Sequence, residues 1–217
     1  MAACQTYSVS RTRSKICGIT CREDALAAIA AGADALGFVF YAKSPRAAEK
    51  EVIGQFLRNL PPLVSKVGLF LDADADFVTS VINVLSLDYL QFHGTETAGY
   101  CDSFGKPYIK ALGAGAGPEL STLATYYPRA SALLFDSHSA GKAGGTGEIF
   151  DWSQLPGNLN KPLILAGGLT PGNVAEAVRQ VRPYAVDVSS GVESAPGRKS
   201  ADLMKQFVAQ LKCADSE

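Results

Sequence analysis

Two residues at the ends of apolar segments have side chains suited to acid–base chemistry. Cys17 closes the segment "KIC" before Gly18, and Asp136 closes the segment "ALLFD". A thiol acts as a base or nucleophile only where its thiolate is favoured, and burial can keep a carboxyl protonated so that it donates a proton. The alternatives are a thiol that fills space in the core and a carboxylate that caps a loop. If the two side chains lie close together, at the end of the fold where their strands finish, the pair predicts proton-transfer chemistry.

Glycine-rich segments near the carboxyl end of the chain predict a phosphate site. Gly167 and Gly168 follow the apolar segment "PLILA", and Ser190 and Gly191 belong to "SSGVE", where a short helix is expected to begin. Backbone N–H groups at Gly168 and in the segment 189–191 can converge on one anion, and the amino end of a helix favours negative charge. The alternative is that these glycines only form tight turns.

Three other side chains are candidates for contact with a substrate. Arg46 lies in a Ser-Pro-Arg loop, and its guanidinium suits a carboxylate through two parallel hydrogen bonds, although a solvated surface arginine is an equal alternative. His93 ends the segment "YLQFH" and is expected either to contact substrate or to bond to a neighbouring loop. Asp187 lies in the last apolar segment, two residues before "SSG". No role is assigned to His138.

The elements that must position these residues alternate along the chain. Short segments rich in β-branched and aromatic residues predict strands at 14–17, 35–40, 66–71, 89–93, 108–112, 132–136, 162–167 and 185–189. Amphipathic segments between them predict helices. Thr20 and Glu23 indicate a capping box at the first, which Gly32 ends. Another is expected after Thr170, and the last from Ser200. The weakest helix prediction covers 118–126.

Eight strand–helix units without a linker-like break predict one (β/α)8 TIM barrel of the α/β class, from residue 14 to 213. Residues 1–13 are expected to form a frayed or disordered lead. A doubly wound sheet is the alternative, but no GxGxxG motif opens a helix. In a barrel of this kind the active site lies at the carboxyl ends of the strands, where the candidate residues fall.

Composition excludes several classes of function. The net charge of −1 gives no electrostatic basis for binding nucleic acid or an anionic membrane. No apolar segment approaches the ~18 residues of a membrane-spanning helix. The five cysteines show no CxxC pair and no metal-ligand spacing, so free thiols in a reducing cytoplasm and no metal site are expected.

The ordered set of motifs resembles the phosphoribosylanthranilate isomerase family. The motifs are "KICGIT", "ADALGFVFYAKSPR", "VGLFLD", "LQFHGTE", "LLFD", "GGTGEIFDW", "LILAGGLTPGNV" and "VDVSSGVE". The resemblance implies an enzyme of tryptophan biosynthesis that acts on a phosphorylated aminosugar by an Amadori rearrangement, without a cofactor. It implies that Cys17 is the general base and Asp136 the general acid. Arg46 would bind the anthranilate carboxylate, His93 and Asp187 would line the pocket, and the last two loops would bind phosphate.

Two other functions remain open at this level. One is a sister barrel isomerase for a different phosphosugar, although the histidine-pathway enzyme typically uses two aspartates and here the first strand ends in Cys17. The other is a phosphosugar-binding barrel without catalysis, which would not need Cys17 and Asp136. A monomer is favoured over a homodimer.

Overall fold

Eight parallel strands form a closed barrel in the computed structural model, which describes residues 11–113, 122, 125–136, 152, 155 and 159–216. The strands are β1 Arg13–Cys17, β2 Ala35–Val39, β3 Ser65–Phe70, β4 Tyr89–Phe92, β5 Tyr108–Gly113, β6 Ala132–Asp136, β7 Leu163–Leu165 and β8 Ala185–Val188. β1 pairs with both β2 and β8, so that Lys15 lies beside Ala35 on one side and Asp187 on the other. This closure confirms the barrel and excludes the doubly wound sheet.

Helices follow most of the strands and cover the outside of the barrel. Within the described residues they are α1 Arg22–Ala31, α2 Lys50–Leu57, α3 Ala75–Val84, α4 Ala98–Asp102, α5 Val174–Val181 and α6 Ala201–Asp215. After β8 the chain forms a 3₁₀ turn, Ser190–Val192, and a small antiparallel pair, β9 Glu193–Ala195 with β10 Arg198–Lys199. The helix predicted at 118–126 lies largely outside the described residues. None of the described helices combines the length and apolar character needed to cross a membrane.

The predicted helix ends are partly right. Ser200 caps α6 by accepting a hydrogen bond from the Leu203 N–H, and Gly32 ends α1 with a φ of 102°, as expected. The capping box at α1 is wrong, because the N-cap is Cys21, whose side chain makes no capping hydrogen bond. Thr20 instead donates its hydroxyl to the Gly197 carbonyl oxygen. A long-range contact therefore takes the side chain that the local pattern assigns to the cap.

Residues just before 14 and just after 213 make specific contacts with the rest of the barrel. Thr12 donates its N–H and its hydroxyl to the Asp215 carboxylate, at 2.9 and 2.7 Å. Arg11 pairs with Asp34, which also accepts a hydrogen bond from the Ser14 N–H. The expected boundary at 13/14 therefore falls inside β1, and the barrel includes α6 to Asp215. Residues 1–10 of the predicted lead lie outside the described part of the chain.

The barrel has one apolar layer between its strands and helices, and its interior contains an apolar cluster and a group of buried polar residues. Outward-facing side chains such as Ile16, Phe38 and Val186 pack under the helices. Inside the barrel a second apolar cluster of small and branched side chains forms a plug: Val67, Ile109, Ala111, Ala132, Leu134, Ile164, Ala166 and Ala185. Polar inward-facing residues on β1, β4 and β8 lie above this plug and are almost fully buried: Lys15, Gln91 and Asp187. The change from apolar to polar interior marks where the site begins.

Candidate active site at the carboxyl end of the barrel

One cavity at the carboxyl end of the strands brings together most of the predicted site residues. Those that line it are Cys17, Arg46, His93, Asp136, Gly167, Gly168, Asp187 and Ser190. They come from β1, β6, β8 and the loops after β2, β4, β7 and β8, so the barrel alone makes them neighbours. Gly191 follows Ser190 but is not among the lining residues.

Cys17 is held at the rim by the alternation of β1. Its side chain faces the interior, where it packs with Val39 and Leu69, and only 4% of the residue is exposed. Burial raises the pKa of the thiol above its usual value, and the Lys15 ammonium close to it offsets part of this effect. The sulfur is therefore placed for chemistry, but its thiolate depends on the cations around it.

Asp136 and His93 face each other across the cavity. His93 Nε2 lies 3.5 Å from Asp136 Oδ2. The other ring nitrogen, Nδ1, lies 3.1 Å from Nε2 of Gln91, which is fully buried. The contact with Gln91 fixes the plane of the imidazole ring, with Nε2 directed toward the Asp136 carboxyl.

Lys15 and Asp187 form a buried ion pair directly below Cys17. Lys15 Nζ donates to Asp187 Oδ1 at 2.9 Å, and the side chains are 4% and 8% exposed. Burial alone would lower the pKa of Lys15, but the adjacent Asp187 carboxylate raises it above the usual value. Burial raises the pKa of the Asp187 carboxyl, although the ammonium opposes this. Lys15 is therefore a protonated cation inside the barrel.

Arg46 reaches the cavity, and part of its guanidinium already has a partner. Nε and Nη2 donate to the two carboxylate oxygens of Glu193, at 2.7 and 2.8 Å. Glu193 also accepts from Lys199 Nζ at 2.8 Å. Burial would raise the pKa of Glu193, but the hydrogen bonds from Arg46 and Lys199 hold it below its usual value. Nη1 of Arg46 takes no part in this pair. The two hydrogen bonds to Glu193 therefore fix the plane of the guanidinium and with it the direction of the Nη1 group.

The loops after β7 and β8 are shaped by close backbone contacts. Gly167 and Gly168 have φ values of 86° and 63°, which favour glycine. A Cβ at Gly191 would lie 1.9 Å from the Leu169 carbonyl oxygen. The predicted short helix is present as the 3₁₀ turn Ser190–Val192. Gly191 therefore lets this turn pack directly on the loop after β7.

Several buried residues around the cavity were not predicted from the sequence. They are Lys15, Gln91, Glu193 and Lys199. The spacing of Lys15 and Gln91 carried a usable signal, because each lies two residues before Cys17 or His93 and so faces the same side of its strand. Glu193 and Lys199 carried no such signal, since Arg46, to which Glu193 is paired, is 147 residues away from it in the chain.

The closed barrel, with titratable side chains gathered in one cavity at the carboxyl ends of its strands, defines a (β/α)8-barrel enzyme. Residues 14–210 match the family described as PRAI, N-(5′-phosphoribosyl)anthranilate (PRA) isomerase. The chain belongs to this family.

Individual relatives agree with the family match. An N-(5′-phosphoribosyl)anthranilate isomerase of Pseudomonas fluorescens (strain Pf0-1) is 54% identical over 204 residues, which are 94% of this chain and 100% of the relative. The crystal structure of the Thermotoga maritima phosphoribosylanthranilate isomerase is 39% identical, covers 93% of this chain and 99% of its own, and has a TM-score of 0.85. A further Thermotoga structure contains monomers generated from a dimeric enzyme.

Another isomerase structure, with a TM-score of 0.79 and 36% identity, covers 93% of this chain and 99% of its own. That protein is bound to reduced 1-(o-carboxyphenylamino)-1-deoxyribulose 5-phosphate. The reaction of the present chain is the isomerisation of N-(5-phosphoribosyl)anthranilate in L-tryptophan biosynthesis. The sister isomerase and the non-catalytic barrel are therefore set aside.

Proposed function

We propose that Cys17 and Asp136 carry the proton transfers of this isomerisation, as general base and general acid. The Asp136 carboxyl donates a proton to the furanose ring oxygen, while the nitrogen lone pair forms the C1′=N bond and the ring opens to an iminium ion. The Cys17 thiolate then removes the proton from C2′, which the iminium has made acidic. The electron pair of that C–H bond forms C1′=C2′, and the C1′=N pair returns to nitrogen.

The enolamine formed in this way becomes the product without a cofactor. C1′ gains a proton and the C2′ hydroxyl loses one, which yields the ketone of 1-(2-carboxyphenylamino)-1-deoxyribulose 5-phosphate with no net proton uptake. The observation that supports these roles most is that Cys17 and Asp136 face one cavity from β1 and β6. After Asp136 has given up its proton, the Nε2–H of His93 at 3.5 Å stabilises the carboxylate that remains.

Two anion sites hold the substrate across this pair. Arg46 binds the anthranilate carboxylate through the part of its guanidinium that Glu193 leaves outside the ion pair. The backbone N–H groups of Gly167, Gly168, Ser190 and Gly191 bind the phosphate, at the amino end of the 3₁₀ turn. Asp187 lines the pocket beneath the sugar. Fixing both ends of the substrate places C2′ and the ring oxygen against the two catalytic groups.

Turnover of freshly generated phosphoribosylanthranilate, followed by loss of anthranilate fluorescence, tests the catalytic roles. Cys17→Ser and Asp136→Asn are each expected to lower kcat by at least about a hundredfold, as removal of a general base or acid predicts. Cys21→Ser and Asp76→Asn, which change the same residue types outside the cavity, are expected to stay within about twofold of the natural enzyme. A folded Cys17→Ser enzyme with normal kcat would show that the thiol only fills space.

The carboxylate anchor is tested by Arg46→Lys. Lysine lacks the planar fork that serves Glu193 and a second carboxylate together, so KM is expected to rise by about tenfold with a smaller change in kcat. An unchanged KM would contradict the assignment of Arg46.

We infer that the enzyme is a monomer in the cytoplasm. Large apolar side chains that are exposed are few in the described residues: Val52, Leu63, Phe77, Val84 and Tyr126. A small number of exposed apolar side chains is normal for a monomer. A phosphorylated substrate carries charge that keeps it on one side of a membrane. Light scattering should give the mass of one 22.8 kDa chain, and a mass of two chains would overturn the monomer; activity found outside the cytoplasmic fraction would overturn the location.

A further inference from the structure

A buried cation lies one layer below the reactive thiol. Lys15 and Cys17 are two residues apart on β1, so their side chains face the same side of the strand, into the barrel. Lys15 is 3% exposed. A lysine in this position, above an apolar plug, loses most of its hydration. Burying its charge is unfavourable unless an opposite charge or hydrogen-bond acceptors compensate for the lost water. Asp187 at 2.9 Å is the partner, and Cys17 is the group that the pair faces.

Glycine on the neighbouring strand makes room for both atoms. Gly37 of β2 lies beside Cys17 in the parallel register. A Cβ built on Gly37 would lie 2.7 Å from the Cys17 sulfur and 3.0 Å from Lys15 Nζ. The sulfur and the ammonium therefore border the same small space above Gly37, with no side chain between them on that strand.

We propose that Lys15 is a positioning residue, whose ammonium, held by Asp187, favours the thiolate form of Cys17 and so makes the thiol a usable base. This inference rests on the proposed role of Cys17 in the reaction. The opposing effect is the burial of the thiol, which favours the neutral form. A fixed cation in a site of low polarity is an effective counterweight, because it needs no reorganisation when the negative charge forms.

Other charges face the same groups and set the sign of each expected change. The Asp187 carboxylate on β8 disfavours the thiolate, and Lys199, behind the cavity on β10, favours it. Asp136 on β6 and His93, just after β4, act on Asp187 from across the cavity. Removing the Lys15 charge should therefore raise the pKa of Cys17. Asp187 acts in both directions, because its charge opposes the thiolate while it keeps Lys15 protonated.

The thiolate can be measured without turnover, by alkylation. The proteins carry Cys21→Ser, so that the peptide containing Cys17 has one thiol, and the rate of its alkylation by iodoacetamide is followed by mass spectrometry between about pH 6 and 10. At pH 7, Lys15→Met is expected to slow alkylation of Cys17 by at least about tenfold, which corresponds to one pKa unit. Lys15→Arg, which keeps the charge, should retain a midpoint close to that of the unchanged protein.

Lys66→Met is the matched control. Lys66 is also on a strand and lies 4.0 Å from the Asp88 carboxylate, but its side chain is 26% exposed. Its removal should leave the alkylation midpoint unchanged. The pH dependence of kcat/KM should move in Lys15→Met in the same direction as the alkylation midpoint, toward higher pH.

The outcomes separate this proposal from the catalytic one. An alkylation midpoint in folded Lys15→Met equal to that of the unchanged protein would show that Lys15 only fills the barrel, whatever happens to kcat. If Lys15→Met does not fold, Lys15→Gln takes its place, and an alkylation midpoint equal to that of the unchanged protein overturns the proposal. Shifted midpoints together with full activity of Cys17→Ser would support the effect of Lys15 on the thiol but refute the role of Cys17 as base.

Discussion

At the scale of single residues, the site is a set of buried charges placed around one thiol. Cys17 is covered by apolar neighbours on one side and by the Lys15–Asp187 pair below. Burial and the cation act in opposite directions on the thiol, and burial has the larger effect. The resting enzyme therefore holds Cys17 mainly as a thiol at neutral pH, and the base form is the minor one.

This balance predicts how the rate depends on pH. Because the pKa of Cys17 is raised, the fraction of thiolate grows about tenfold for each pH unit below that pKa. We expect alkylation of Cys17 to speed up with pH across the neutral range, whereas kcat/KM also requires protonated Asp136 and is expected to rise less steeply. Alkylation rates and steady-state rates from about pH 6 to 9 make the comparison. An alkylation rate that already reaches its plateau below pH 7 would show that the pKa of Cys17 is not raised.

At the scale of elements, the cavity depends on how closely two loops approach each other. The 3₁₀ turn Ser190–Val192 rests on the loop after β7, and Gly191 meets the Leu169 carbonyl oxygen with no room for a side chain. The same two loops carry the proposed phosphate site. Their packing therefore sets both local stability and the position of the N–H groups.

Gly191→Ala tests this contact. The added methyl must displace one loop from the other, and overpacking of this kind typically costs about 1–3 kcal/mol of the free energy of unfolding. Misplacing the phosphate donors should also raise KM by about tenfold or more. Chemical denaturation and steady-state kinetics give both values.

Gly99→Ala, in α4, is the control because a Cβ there meets nothing within 4 Å. It is expected to leave KM unchanged and to stabilise the helix by about 0.5–1 kcal/mol. If Gly191→Ala and Gly99→Ala have the same KM and the same free energy of unfolding, the contact between the loops contributes to neither.

At the scale of the whole molecule, closure of the barrel joins the two ends of the chain. β1 pairs with β8, and α6 packs against both α1 and α5 while Asp215 binds Thr12. Phe207 on α6 is fully buried, whereas Phe77 on α3 is 43% exposed. The terminal helix is therefore part of the core that holds the first strand in place.

Phe207→Ala and Phe77→Ala compare the two positions. Removal of the buried ring is expected to lower the free energy of unfolding by about 3–5 kcal/mol, and removal of the exposed ring by much less. Equilibrium denaturation in urea measures both. Since Phe207 is absent from the cavity, the folded fraction of that variant should keep its kcat. Equal losses in the two variants would contradict a structural role for the end of the chain.

The sequence by itself determined the eight strands, the barrel class and the rim to which Cys17 and Asp136 belong. These follow from local rules: period-two alternation places residues on one side of a strand, and parallel strands with crossover helices bring their carboxyl ends to one face. The ordered motifs also led to the correct family. At Thr20 the local rule failed, because a contact with the Gly197 carbonyl took the place of the predicted cap.

Only the tertiary structure decided which charges meet. Lys15 and Asp187 are 172 residues apart in the chain, and Arg46 and Glu193 are 147 apart. No periodicity spans such distances, because each pair forms only when the barrel closes and puts the loops around one cavity. The state of the Cys17 thiol depends on those same contacts, since burial and neighbouring charge act through space and not along the chain.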